Sequence, residues 1–71
     1  MKDLRRYLGT RVILQLDFEG AGVAGIVEGV SAETVELVDV EVHSGRPGDQ
    51  PKKADGRFHV VRERIVWVQI P

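Results

Sequence analysis

Seventy-one residues, no cysteine and a formal net charge of −1 set narrow limits on this chain. One domain fits, near the lower size for independent folding, and neither a disulfide nor a thiolate-bound metal can reinforce it. The near-neutral sum excludes a protein that grips nucleic acid by bulk charge alone.

Oligomerisation is the remaining way to reinforce so small a core. The two histidines, His43 and His59, have no carboxylate at a ligand spacing, so no zinc site is expected. Charge is unevenly placed. From Val12 to Ser44 every formal charge is acidic, while Lys2, Arg5, Arg6 and Arg11 precede that stretch and Arg46, Lys52, Lys53, Arg57, Arg62 and Arg64 follow it. Two readings stand equal: an acidic and a basic surface, or ordinary solubilising charge. No apolar run approaches the roughly 20 residues that span a bilayer, and the N-terminus lacks an apolar leader core, so a cytoplasmic protein with no membrane partner is expected.

Residues 1–8 are predicted as a short helix, because Leu4, Tyr7 and Leu8 share one face and Gly9 suits the position after it. Eight residues are too few to be stable alone, so this helix must pack on the rest. The period then changes to two. Val12, Leu14 and Leu16 alternate as in a half-buried strand, and residues 17–20 form a turn candidate ending in glycine. A second strand over residues 21–30 contains Gly22, Gly25 and Gly29, the mark of sharp bending or close backbone approach. After a turn at residues 31–34, a third strand carries Val35, Leu37, Val38, Val40 and Val42, with a slip of phase at Val38 that predicts a bulge.

Residues 44–56 hold Gly, Pro, Asp and Lys but no large apolar side chain, and read as a mobile surface loop. A fourth strand over residues 57–62, a minimal turn at Glu63-Arg64 and a fifth strand over residues 65–70 complete the chain. That last strand is apolar on both faces, so a neighbouring chain is expected to cover it. Trp67 is accordingly assigned to core or interface packing rather than to stacking on a base. The whole of residues 1–71 forms one domain of the all-β class.

A short helix and five strongly bent antiparallel strands, with a long loop before the fourth, resemble the Sm-like (LSm/Hfq) family, whose barrel is SH3-like. Residues 4–12 resemble the family's opening. Gly20, Gly25, Val27 and Val30, continued by Val35, Leu37 and Asp39, resemble its first motif, and Val60-Val61-Arg62 followed by Ile65-Val66-Trp67-Val68 resembles its second. The resemblance implies a homo-oligomeric ring in which the fourth strand of one copy pairs with the fifth of the next. It also implies single-stranded RNA at the ring pore, bound by the loops around residues 31–34 and 62–64.

On that resemblance the RNA-binding candidates are Arg62, Thr34, Ser31 and Arg64. Ser31 stands near the family's Asp and Thr34 near its Asn, in a loop one residue shorter, and neither Ala32 nor Glu33 can stack on a base. Arg62 matches, but the glycine that usually follows is replaced by Glu63. Turn chemistry is the competing account of Ser31 and Thr34, an ion pair that of Arg62, and a solvated loop that of Lys52 and Lys53. No catalytic constellation or cofactor motif is discernible, so no enzyme and no cofactor are expected. Two further readings remain: a ring-shaped assembly scaffold that has lost RNA binding, and a monomeric SH3-like module that binds peptides.

Overall fold

Alternation drives Val12 and Leu14 to one side of a strand, and both are buried at the centre of the molecule. The computed structural model describes residues 4–17 and 20–71. Its six strands are β1 (Arg11–Leu16), β2 (Gly22–Val30), β3 (Thr34–His43), β4 (Lys52–Ala54), β5 (Phe58–Val61) and β6 (Ile65–Gln69). All pair antiparallel, in the order β4-β3-β2-β1-β6, with β5 also on β3. The all-β, strongly bent antiparallel fold expected from the alternation is present.

Chain connectivity requires the sheet to curl. β5 and β6 lie at opposite edges, four strand spacings or about 19 Å apart in a flat sheet. Only Arg62–Arg64 join them, and three residues reach about 10 Å. The connector is tied at both ends: the Arg62 amide donates to the Glu33 carbonyl at 2.8 Å, and the Asp17 amide to the Arg64 carbonyl at 3.0 Å. Inside the curl lie Leu4, Val12, Leu14, Val23, Val27, Val35, Leu37, Val40, Val60 and Ile65.

The bend is concentrated in β3. Its first half, Thr34–Leu37, pairs with β5, and Val40–Val42 pair with β4. Between these halves the register against β2 slips, from Glu41 opposite Ala24 to Val38 opposite Ile26, which places an extra residue on β3 next to the predicted bulge at Val38. Asp39 occupies the left-handed region there (φ 54°), and Arg11 Nη1 donates to its carbonyl at 3.2 Å. An aspartate tolerates this conformation, whereas a β-branched residue does not. Asp39→Val is therefore expected to cost about 1–2 kcal/mol and Asp39→Gly to stay within about 0.5 kcal/mol, measured by urea unfolding.

Three expectations are corrected. The N-terminal helix over residues 1–8 is a single 3₁₀ turn, Leu4–Tyr7, and residues 1–3 lie outside the described residues. Four residues cannot hold an α-helix without a longer register, and the segment is instead held by its backbone: the Gly9 amide donates to Val27 O at 2.8 Å and the Val27 amide to Thr10 O at 3.1 Å. The mobile loop over residues 44–56 contains β4, because the long β3 runs past β5 and offers its remaining backbone groups to Lys52–Ala54. There are thus six strands rather than five. The predicted fourth and fifth strands are β5 and β6, and Phe18 in the first turn candidate lies outside the described residues.

Candidate functional site

The turn between β2 and β3 is closed by its own side chains. Ser31 Oγ accepts from the amides of Thr34 (3.0 Å) and Glu33 (3.3 Å), and lies 3.1 Å from Thr34 Oγ1. The Ser31 amide donates to Thr34 O at 2.9 Å. Both hydroxyls are therefore engaged in turn chemistry.

Arg62 joins this turn from the β5–β6 connector, its Nη1 donating to Ser31 O at 2.8 Å. The structure thus brings Arg62, Ser31 and Thr34 together, as the resemblance implied. It places Arg64 elsewhere, with Nη1 3.5 Å from Asp17 Oδ2 at the end of β1. Backbone geometry separates the two arginines, since the connector's ends are tied to different loops.

Basic and acidic stretches interleave rather than forming two separate faces. Arg57 donates to Glu28 and to Glu36 Oε1 at 2.8 Å, and Arg11 lies 3.6 Å from Asp39 Oδ2. The hydrogen bond to Glu28, followed by that residue's charge, holds Arg57 still further toward its charged form. His59 Nε2 is 3.3 Å from Glu36 Oε2, and His43 Nε2 is 3.4 Å from Glu41 Oε1. Among the described residues no cluster of His, Cys, Asp or Glu could hold a metal ion, and no helix is long and apolar enough to cross a membrane.

The largest unsatisfied feature is apolar. Along β6 the register slips between Leu14 opposite Val68 and Leu16 opposite Ile65, which inserts one extra residue in β6. The slip turns Ile65 into the core and leaves the next two side chains outside. Val66 is 54% exposed, Trp67 58% and Ile70 51%. Val61, just before the connector, is also exposed, and the free edge of β6 has no strand beside it among the described residues. The signal was legible: an apolar strand on both faces in a chain too short to cover both.

No family model matches the sequence, and no curated protein matches it. The fold is similar to that of a chain in the crystal structure of the NatC complex bound to CoA, with TM-score 0.75, 22% identity, and coverage of 100% of this chain and 87% of that one. A chain in the crystal structure of the NatC complex bound to Gag peptide and CoA is similar with TM-score 0.74 and 23% identity, over 97% of this chain and 92% of that one. At this identity the likeness is one of fold. It corrects the expectation of a homo-oligomeric ring, because these chains of like fold are subunits of a heteromeric complex. The physical reason is that open edges at β5 and β6 can be satisfied by any chain with a complementary strand or apolar face, not only by a copy of the same chain.

Proposed function

We propose that this chain is a non-catalytic, Sm-like accessory subunit of a hetero-complex, docked to a different protein through β6. The observation that carries this reading is the pair Val66 and Trp67, both more than half exposed on β6, whose outer edge has no strand beside it among the described residues, with Ile70 beyond them. Exposed apolar side chains on an open edge are a liability for a protein that works alone, and suit one that is covered in use. Tryptophan is also among the side chains that most often dominate binding energy at such surfaces. Membership of the similar chains in the NatC complex supports the same reading. Single-stranded RNA at Arg62 has less support, because the Ser31 and Thr34 hydroxyls are engaged with each other and Arg62 is bonded to the Ser31 carbonyl.

The test is crosslinking mass spectrometry on the affinity-tagged chain purified from the cells it belongs to. A stoichiometric partner of different sequence, crosslinked beside β6, is the expected result. The double variant Val66→Asp/Trp67→Asp is expected to lose that partner while its unfolding free energy stays within about 1 kcal/mol of wild type, since each site is exposed. A chain that purifies alone, or a partner retained by the double variant, refutes the reading. Binding of an oligouridine that Arg62→Ala abolishes would restore the RNA reading instead.

A further inference from the structure

Each described aspartate but one is tied to a neighbour. Arg64 Nη1 lies 3.5 Å from Asp17 Oδ2, Arg11 Nη1 lies 3.6 Å from Asp39 Oδ2, and Ser44 Oγ donates to Asp49 Oδ2 at 2.8 Å. Asp55 is the exception. It is exposed, and its carboxylate takes part in no hydrogen bond or ion pair among the described residues. It is also the one aspartate of the chain that glycine follows.

Asp55 and Gly56 lie in the link between β4, which ends at Ala54, and β5, which begins at Phe58. β3 fixes both ends of that link, with Ala54 opposite Val40 and Phe58 opposite Leu37. Residues 55–57 thus face only Val38 and Asp39, at the bulge, and the link bows away from the ladder. Gly56 takes the left-handed region there (φ 87°), and a Cβ placed on it would meet no atom beyond its chain neighbours within 4 Å. Its amide donates to no carbonyl among the described residues.

We infer that Asp55-Gly56 is a site of spontaneous covalent modification, where aspartate isomerises to isoaspartate through a cyclic imide. The Gly56 amide nitrogen attacks the Asp55 side-chain carboxyl carbon. A C–N bond forms, a carboxyl C–O bond breaks, and that oxygen leaves as water with the amide proton and the acid proton. Water then adds to one of the two imide carbonyls. Attack on the side-chain carbonyl restores aspartate. Attack on the main-chain carbonyl gives isoaspartate, which lengthens the main chain by one methylene. Each round places one oxygen atom of water in the carboxylate, and no other reactant is needed. Glycine favours the first step because it has no Cβ to obstruct the approach. A carboxylate held by a cation, or an amide held in a ladder, would be kept from it. The other described aspartates are held in this way, and Asp39 is followed by Val40, which is buried within β3. The product carries an exposed carboxylate that an S-adenosylmethionine-dependent isoaspartyl methyltransferase can esterify.

The site lies on the link between β4 and β5, so it stands whether or not the chain docks through β6. The full folded chain is held in neutral buffer made with heavy-oxygen water, then digested in ordinary water after lysine and arginine. Mass spectrometry reads the fragments. A parallel sample is offered to an isoaspartyl methyltransferase with labelled S-adenosylmethionine. Heavy oxygen is expected in the fragment of residues 54–57 and not at Asp17, Asp39 or Asp49, together with methyl label. Asp55→Glu is expected to lose both signals, because its ring would be one atom larger and closes far more slowly. That variant removes no contact, so the fold is kept. A synthetic peptide of residues 52–58 gives the unrestrained reaction. Three results overturn the inference: label in the free peptide with none in the folded chain, equal uptake of oxygen at Asp17, Asp39 or Asp49, or undiminished methylation of Asp55→Glu.

Discussion

Gly25→Val is expected to leave this domain largely unfolded at room temperature. Gly25 faces inward from β2 where β3 bends across it. A Cβ at that position would lie 3.0 Å from the Val38 carbonyl oxygen, 3.2 Å from Leu37 Cβ and 3.3 Å from Val40 Cγ2. The first of these is backbone within the bulge that allows the sheet to curl, so it cannot swing aside as a flexible side chain would. Overpacking of this kind costs about 1–3 kcal/mol for a methyl-sized insertion, and valine adds two further methyls. A domain of this length has about 4–10 kcal/mol of stability in total. Replacing glycine returns only about 0.4–1 kcal/mol through the unfolded chain. Urea unfolding monitored by circular dichroism decides the matter: Gly25→Ala should be measurably destabilised and Gly25→Val mostly unfolded without denaturant. Wild-type midpoints in both variants would show that the bend does not depend on this close approach.

Leu37→Ala is the second large effect. Leu37 is wholly buried at the point where β3 passes between β2 and β5, opposite Val27 on one side and Phe58 on the other. Truncating a buried leucine costs about 2–5 kcal/mol, through lost transfer energy and the cavity left behind. Here the upper half of that range applies, because the neighbours Val27 and Val35 are short and branched and cannot extend to fill the space. By contrast, Trp67→Ala removes a larger side chain but is expected to change stability by no more than about 0.5 kcal/mol, since the indole is mostly outside the core. The pair of measurements separates residues that hold the fold from residues available to a partner. A Trp67→Ala cost as large as that of Leu37→Ala would place the indole in the core.

The bent sheet was legible because its signals are local and redundant. Alternation at Val12, Leu14 and Leu16 gives a strand with one buried face, and glycine at position 25 announces the approach of another backbone. β4 was not legible. Lys52-Lys53-Ala54 has no apolar alternation, and its pairing follows from β3 being ten residues long while β5 offers only four. The short helix expected over residues 1–8 is only the 3₁₀ turn Leu4–Tyr7, because a single apolar turn satisfies either helical geometry. At the candidate site, the meeting of Arg62 with Ser31 spans a separation of 31 residues and was reachable only through the family resemblance.

The most direct test of the central claim is the solution mass of the purified, nuclease-treated chain at micromolar concentration, by light scattering. Docking of β6 onto a different protein predicts the mass of a single chain, 7.9 kDa, in the absence of that partner. A discrete closed assembly of several identical copies would contradict the account, because the β6 edge would then be satisfied by the chain itself.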